Sequence, residues 1–224
     1  MVAVVEKPIK SSAEPASRLA ILKAATEEFA LKGYAGARTE GIARAARVNH
    51  ALLFYHFKTK EQLYSEVLED IFSEWFECVF RALDQKASAQ ERLLAYVNSY
   101  FDFIVEFPLA PKLVQQEQLR QCSARSQPLH RMVERYIRPV HRKLVALLRE
   151  GISSREFHDL DVEHCIHSIS ALILFYFTSN LAVESLEGVE LCPRPRIEAR
   201  RKAVLDFVFK ALFTVADGHE SRKG

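Results

Sequence analysis

Apolar positions along the chain recur mostly every three or four residues, which is the spacing of one face of an α-helix. The first such stretch includes Leu19, Leu22 and Phe29 and ends at Gly33. Glycine often terminates a helix because it adopts a left-handed backbone at no steric cost. We therefore predict an amphipathic helix from about residue 14 to Gly33.

The same periodicity continues along the rest of the chain and predicts further helices. Their approximate bounds are 39–46, 50–57, 60–83, 90–107, 110–121, 128–150, 162–185 and 196–216. Asn49 can cap the third helix, and Thr59 with Gln62 has the spacing of a capping box at the start of the fourth. Pro139 should kink the helix that contains it. No alternating run flanked by hairpin turn residues occurs, so we predict an all-α fold of about nine helices.

The predicted helices divide into two units. We expect a flexible basic arm at 1–14, a three-helix unit at 15–60, a larger helical unit at 61–217 and a polar tail at 218–224. No flexible linker separates the third helix from the fourth. We therefore expect the two units to be mechanically coupled.

The charge of the chain is distributed unevenly. Residues 1–60 contain 10 Lys and Arg against 5 Asp and Glu, whereas residues 61–224 contain 21 against 24. A basic N-terminal quarter favours contact with a polyanion such as DNA, although charge alone is equally compatible with ordinary fluctuation.

Composition bears on the cellular location. The longest nearly unbroken apolar stretch, 169–177, is shorter than the roughly 20 residues of a membrane-spanning helix. The N-terminus lacks the long apolar segment of a signal peptide, and the four cysteines form no CxxC pair. We expect a cytoplasmic protein with reduced thiols and no membrane partner.

Residues 39–57 carry the pattern of a helix-turn-helix, which is two short helices joined by a tight turn. The positions that must be small or apolar for the helices to cross are occupied accordingly by Ile42, Ala43, Ala46, Val48 and Leu53. Leu53 and Phe57 should face inward, which leaves His50, Ala51, Phe54 and Tyr55 on the outer face. Such a face fits a DNA major groove, and Lys58 and Lys60 follow where a phosphate would lie. A structural hairpin with exposed aromatic residues is the alternative.

Three sequence blocks in this region resemble the DNA-binding domain of TetR-family transcriptional repressors. They are KGYAG, T-x-x-IA-x-x-A-x-V and FYHFKTKEQL, of which the last is the most specific. The resemblance covers about residues 15–65; the remainder agrees in length and helix order. It implies an Ω-like homodimer that binds a palindromic double-stranded operator and releases it when a small-molecule effector binds.

The resemblance also implies which residues contact DNA. They are Thr39, Arg47, Asn49, His50, Ala51, Phe54, Tyr55, His56 and Lys60. Three positions depart from the family pattern and bear on the operator sequence. Arg47 replaces the usual glycine of the turn, at a cost of roughly 1 kcal/mol if its backbone is left-handed. Phe54 replaces a frequent tyrosine, and Gly41 lies inside the second helix.

The larger unit is rich in aromatic residues, and together with these residues the resemblance to TetR-family repressors implies an effector pocket between the helices at 90–107, 128–150 and 162–185. The candidate effector-binding residues are Trp75, Tyr100, Phe103, Gln116, Tyr136, His141 and Tyr176. Such a pocket favours a small, largely apolar or aromatic effector. For any single residue of this set, a place in the packed core is the alternative.

The last two predicted helices carry apolar faces that could pair with their symmetry mates in a four-helix interface. The candidate interface residues are Ile169, Ile173, Leu205, Val208, Phe209 and Leu212. Burial within the same subunit is the alternative.

No pattern for enzymatic chemistry emerges. A Gly-rich phosphate loop, a nucleophile elbow and a paired-carboxylate motif are absent from the sequence, so we expect neither an enzyme nor a cofactor. His164 and His167 could share a metal, but no second cluster completes the ligand set, and Cys122 is the best of weak redox candidates. We predict a dimeric, ligand-responsive DNA-binding repressor. A small-molecule-binding helical bundle without useful DNA binding is the alternative.

Overall fold

A computed structural model describes residues 15–123, 127–179 and 193–214. Regular structure within these ranges is helical, which confirms the predicted all-α fold. The predicted basic arm and the polar tail lie outside the described residues.

Ten α-helices are described, numbered here in chain order. They are α1 Ala16–Gly36, α2 Thr39–Ala45, α3 His50–His56, α4 Lys60–Leu83, α5 Ala89–Glu106, α6 Ala110–Ser123, α7 Gln127–Met132, α8 Arg138–Ser153, α9 Val162–Thr178 and α10 Arg194–Leu212. The starts agree with the sequence-based prediction to within about two residues. The prediction was wrong at the end of α9, which is capped by Ser179 rather than running to residue 185.

Gly33 ends the regular part of α1, as predicted. Its φ is 68° and its ψ is 172°, so the chain leaves the helix there before a final turn to Gly36. The change of direction brings Tyr34 beside Phe29 of α1 and Tyr64 of α4, with ring centroids 6.3 and 5.1 Å away. Helix α1 is thereby attached to α4.

The single helix predicted at 128–150 is divided. A π-helical turn, Val133–Ile137, separates α7 from α8, and Arg138 N donates to Val133 O across it. Pro139 follows at the start of α8, where its missing N–H costs little. The irregularity expected at the proline is therefore a π-helical turn placed just before it.

A left-handed residue also ends α8. Arg155 has a φ of 62°, its N–H bonds to Ile152 O, and Glu156 N bonds to Gly151 O. This bonding pattern is a Schellman cap. It directs Phe157 over Gly151 and onto the ring of Phe213 after α10, with centroids 5.3 Å apart.

The two units predicted from the sequence share one core. Helices α4 and α5 pack along their length, and α4 also packs against α1, α6 and α8. Buried residues from α1 to α10 form a continuous hydrophobic cluster. Because α4 is part of the larger unit and packs against α1 of the smaller one, movement in the larger unit can reach the first three helices. None of the described helices combines the length and hydropathy needed to cross a bilayer.

Gly151→Ala should destabilise the fold. A Cβ at Gly151 would lie 2.2 Å from Phe157 Cδ2, so the stacked Phe157 ring would have to move. We expect the free energy of unfolding in urea to fall by about 1–3 kcal/mol. Gly36→Ala is the control, because its new Cβ meets only Lys32 Cβ at 3.4 Å. An equal effect of both substitutions would contradict this packing.

Candidate DNA-binding interface and its connection to the helical body

The turn between α2 and α3 is built around Arg47. Its φ is 56°, which is the left-handed conformation expected at a position that is usually glycine in the family pattern. Arg47 N donates to Arg44 O at 3.1 Å and Val48 N donates to Ala43 O at 3.0 Å. These two bonds form a Schellman cap, with Val48 and Ala43 as its apolar pair. The cap offsets the backbone cost at Arg47 and leaves its side chain exposed.

Polar contacts fix the start of α3. The Asn49 side chain accepts from Leu52 N at 2.7 Å, which confirms the predicted cap. His50 Nε2 lies 3.0 Å from Thr39 Oγ1 at the start of α2, and 3.8 Å from Glu40 Oε1. Thr39 and His50 therefore form one polar pair at the N-terminal end of α3. This is the end of the helix that would enter a groove of DNA.

The outer face of α3 is mostly as predicted. Asn49, His50 and Ala51 are exposed, and Tyr55 is the most exposed aromatic residue described, at 71%. Phe54 differs, because it is half-buried against the core and meets the His50 ring edge-on at 4.8 Å. We conclude that Phe54 positions His50 more than it presents a surface of its own.

The inner face of α3 attaches it to α1. Leu53 and Phe57 are fully buried, as predicted. His56 Nε2 lies 3.0 Å from Ser17 Oγ, and the guanidinium of Arg18 lies 5.1 Å from the Phe57 ring centroid. His56 is thus turned toward α1 and supports α3 from behind.

The start of α4 has a modified capping box. Thr59 Oγ1 accepts from Gln62 N at 3.0 Å, as predicted, but Gln62 Oε1 accepts from Lys58 N instead of Thr59 N. Lys58 Nζ donates to Tyr55 O at 2.9 Å and lies 5.3 Å from the Tyr55 ring. Lys60 Nζ lies 4.8 Å from the Tyr34 ring centroid. The Lys58 ammonium is therefore held beside Tyr55 on α3, whereas that of Lys60 lies against Tyr34 of α1.

The face that carries Tyr55 is flanked by cations. Exposed basic side chains on or beside α2 and α3 are those of Arg38, Arg44, Arg47 and Lys58. A surface with exposed polar groups at a helix start and cations around it can bind the phosphates and base edges of DNA.

Helices α4 to α10 are called the body below. Within it, α6 contacts the first three helices through Arg120. Its guanidinium lies 4.2 Å from the Tyr34 ring centroid and 5.3 Å from that of Tyr64. The same group donates to both carboxylate oxygens of Glu61, at 2.8 and 3.4 Å. Arg120 thereby contacts α1 and α4 together.

The surroundings of Arg120 shift the pKa values of Glu61 and Tyr64 in opposite directions. Burial raises the pKa of Glu61, but the bonds from Arg120 and Tyr34 outweigh it and leave that pKa below its usual value. Burial, followed by the charge of Glu117, raises the pKa of the Tyr64 hydroxyl. Tyr64 therefore remains a hydrogen-bond donor toward Glu117, which is fully buried.

Gln116 belongs to this same junction and not to the predicted effector pocket. Its Nε2 donates to Ala30 O at 3.1 Å, close to Gly33. It ties α6 to the last regular turn of α1. Sequence patterns miss the junction because its members are far apart in the chain; Arg120 and Glu61 are separated by 59 residues.

The other predicted effector residues fall into two groups. Trp75, Tyr100, Phe103 and Tyr136 are buried in the body, with Trp75 and Tyr100 5.7 Å apart between ring centroids and the Tyr136 hydroxyl bonded to Glu69.

His141 and Tyr176 lie elsewhere. His141 Nε2 is paired with Glu163 at 2.9 Å on the surface between α8 and α9, so the prediction that it lines a pocket was wrong. Tyr176 is half-buried beneath Arg200 of α10, 5.2 Å from the ring centroid.

Two open grooves are described, and neither is lined by the predicted effector residues. One, of about 430 Å³, lies between α5 and α10 beside Leu94 and Phe209. The other, of about 520 Å³, lies between α4 and α7 beside Glu66 and Arg131. The buried aromatic residues of the body are packed against each other in this structure.

The residues predicted for a dimer interface are only partly available. Ile169, Ile173 and Val208 are buried within the chain, so their assignment to an interface needs correction. Leu205 and Leu212 are partly buried, and Phe209 is 45% exposed beside the groove between α5 and α10. More exposed apolar side chains on these helices are Phe175 at 65% and Phe207 at 57%.

Metal and thiol chemistry find little support. Among the described residues, no group of three or more His, Cys, Asp or Glu side chains could hold a metal ion. Asp161 accepts from His164 N as a helix cap, and His167 bonds to Glu163 O. Burial raises the pKa of Cys165 to about 11, which disfavours the reactive thiolate. The Cys122 side chain lies outside the described residues.

Two family models match the chain. Residues 21–67 match the model described as bacterial regulatory proteins, tetR family, and residues 90–208 match one described as tetracyclin repressor-like, C-terminal domain. The second match alone spans more than half of the chain, and the first contains the helix-turn-helix.

Individual proteins agree with these matches. The chain is 26% identical over 179 residues to the HTH-type transcriptional repressor NicS of Pseudomonas putida, which is 78% of this chain and 82% of that protein. It is 31% identical over 152 residues to the HTH-type transcriptional repressor KstR2 of Mycolicibacterium smegmatis, 67% of this chain and 73% of that protein.

A solved structure shares the fold. That of the ketosteroid transcriptional regulator KstR2 of Mycobacterium tuberculosis matches with a TM-score of 0.70 and 20% identity, over 93% of this chain and 100% of its own.

Arg120→Met should weaken the attachment of α6 to α1 and α4. The substitution keeps an unbranched side chain but removes the bonds to Glu61 and the cation from both tyrosine rings. We expect the free energy of unfolding in urea to fall by about 1.5–3 kcal/mol, the usual worth of hydrogen bonds to a charged group.

Arg81→Met is the matched control, because Arg81 is an exposed arginine whose closest approach to Glu77 is 3.9 Å. It should change the free energy of unfolding by no more than about 0.5 kcal/mol. If Arg120→Met behaves like this control, the junction does not contribute to stability as described.

Proposed function

Because the chain belongs to the TetR family of bacterial transcriptional regulators, we propose that it represses transcription as a homodimer bound to a palindromic operator. A small, largely apolar effector releases it from the DNA. Residues 15–60 form the DNA-binding unit and residues 61–217 the effector-binding and dimerisation unit. A protein with this task acts in the cytoplasm, where the operator is.

The observation that carries the proposal is the exposed face of α3. This face exposes Asn49, His50 and Ala51 at the start of the helix and Tyr55 one turn later. These residues would approach base edges in the major groove. Thr39, Arg47 and Lys60 would contact phosphates. Phe54 and His56 contribute by holding His50 and α3 in place.

Dimerisation follows from the geometry of DNA. Each chain carries one recognition helix, and two half-sites of an operator lie about 34–36 Å apart, so one chain reads only half of the site. The exposed rings of Phe175 on α9 and Phe207 on α10 offer an apolar surface for the second copy. Buried Ile169, Ile173 and Val208 would support this surface from beneath.

Release follows from the connection of α4 and α6 to α1. An effector bound among the aromatic residues of the body displaces α4 or α6, and Arg120 transmits the displacement to Tyr34 and Glu61. The separation of the two recognition helices then no longer matches the operator. By thermodynamic linkage, operator DNA weakens effector binding by the same factor.

The second candidate function is a small-molecule-binding bundle without useful DNA binding. The retained exposed face of α3 disfavours it. The two functions differ in one measurement, which is binding to DNA from upstream of the protein's own gene.

Wild-type protein should bind a fluorescent duplex of this DNA saturably, more tightly than random DNA, and more weakly at higher salt. Tyr55→Ala should weaken specific binding by at least about tenfold through a lost groove contact. Lys60→Ala should weaken binding to all sequences and reduce the salt dependence by about one ion. Fluorescence anisotropy at two salt concentrations measures each effect.

Arg149→Ala is the control, since Arg149 is exposed on α8 away from α3. Unchanged affinity in both Tyr55→Ala and Lys60→Ala would show that another face binds DNA. Binding by wild-type protein no tighter than to random DNA would favour the second candidate function.

Phe175→Glu combined with Phe207→Glu should give a monomer, because two carboxylates would face their symmetry mates across an apolar interface. Phe209→Glu is the matched control. Phe209 lies two residues from Phe207, which turns it by about 200° around α10 toward the groove with α5. Light scattering after size exclusion should show a dimer for the control. A dimeric double variant with a monomeric control would move the interface to the groove.

A further inference from the structure

The only tryptophan of the chain, Trp75, has an indole N–H without a hydrogen-bond partner. Trp75 lies on α4 and is 8% exposed, so water has almost no access to it. An indole nitrogen can only donate, and buried donors in folded proteins nearly always have an acceptor. An unpartnered donor at this depth indicates a place where another molecule supplies the acceptor.

A second aromatic residue with a hydroxyl group has its ring beside the indole. The ring of Tyr100 on α5 is buried, with its centroid 5.7 Å from that of Trp75. Burial raises the pKa of Tyr100, so its hydroxyl keeps its proton. Tyr96 is the next tyrosine on α5, with its ring centroid 6.1 Å from that of Tyr100, and its hydroxyl oxygen interacts with Ser170 of α9. Between α4 and α5, the unpartnered donor is therefore that of Trp75, and the ring of Tyr100 lies beside it.

The surroundings of these donors are unsuited to a charged molecule. Within the described part of the chain, Glu117 is the buried charged residue, and it lies at the junction of α1, α4 and α6. A charged group placed beside Trp75 would lose its hydration without gaining a countercharge, which is strongly unfavourable. The Tyr100 ring and the other buried side chains of α4 and α5 favour apolar contact instead.

We propose that the effector is a neutral, predominantly apolar molecule with a carbonyl or comparable acceptor oxygen, which binds between α4 and α5 and accepts from Trp75 Nε1. The ring of Tyr100 lies beside this donor. This inference rests on the proposed function, because it takes the helical body as the effector site. Entry of such a molecule separates the rings of Trp75 and Tyr100 and shifts α4, the helix that begins at Lys60 shortly after the end of α3.

A matched pair of ligands tests the acceptor. Acetylnaphthalene and ethylnaphthalene share the ring system and differ by a carbonyl in place of a methylene. Equilibrium dialysis of each against the full-length protein gives two dissociation constants and needs neither DNA nor tryptophan fluorescence. We expect wild-type protein to bind the ketone about tenfold more tightly, which corresponds to about 1.4 kcal/mol.

The variants locate the donor. Trp75→Phe should bind the ketone and the hydrocarbon equally, whatever its absolute affinity, because the comparison within one variant cancels the smaller volume of the ring. Tyr96→Phe is the control and should keep the tenfold preference, since the described ring contact of Tyr96 is with Tyr100 and the variant leaves the indole donor in place. Naphthoate, which carries a charge on the same ring system, should bind at least tenfold more weakly than the ketone.

Four results would overturn the inference. They are equal binding of ketone and hydrocarbon by wild-type protein, a preference that survives in Trp75→Phe, tighter binding of naphthoate than of the ketone, and no saturable binding of either neutral ligand. Operator binding, measured separately, distinguishes this failure from that of the proposed function. A protein that binds its operator but lacks the ketone preference refutes only the effector chemistry. One that shows the preference but no specific DNA binding refutes only the repressor.

Discussion

The contact of Arg120 with Tyr34, Tyr64 and Glu61 decides how the DNA-binding helices are held against the body. A guanidinium is planar, so it can lie against aromatic rings while its edge donates to both oxygens of a carboxylate. A lysine ammonium could satisfy one of these requirements at a time. Gln116, one residue before the buried Glu117, adds a bond from α6 to Ala30. Helix α6 thereby contacts both α1 and α4, and the orientation of α3 follows from these two helices.

Helix α4 connects the two chemical regions of the protein. It has 24 residues, which corresponds to a length of about 36 Å. Lys60 at its start lies against Tyr34 of α1, Glu61 and Tyr64 meet α6 in its first turns, and Trp75 lies deep in the body. In the proposed function, a displacement at Trp75 is carried along this helix to the DNA-binding end. In the proposed function, effector recognition and operator recognition are therefore two contacts of one helix.

Two arginines in left-handed conformations set the direction of the chain at important turns. Arg47 orients α3 relative to α2, and Arg155 places Phe157 over Gly151 and Phe213. A side chain in this conformation costs roughly 1–2 kcal/mol relative to glycine. The paired backbone bonds of a Schellman cap offset part of this cost in both places. Because arginine stands at position 47 in place of the usual glycine, the turn also places a cation at the edge of the proposed DNA-binding surface.

The sequence by itself determined the helices, the helix-turn-helix and the face of α3 that carries Tyr55, because these features depend on short-range periodicity, caps and turn residues. Asn49 and Thr59 cap the starts of α3 and α4, and Gly33 ends the regular part of α1. Each acts through bonds or dihedral angles that involve only neighbours in the chain. The tertiary structure alone decided which aromatic residues are core, that His141 is on the surface, that Gln116 joins α6 to α1, and that Ile173 faces inward while Phe175 faces outward. These assignments depend on how helices rotate against each other. Partners such as Arg120 and Glu61, 59 residues apart, leave no periodic trace in the sequence.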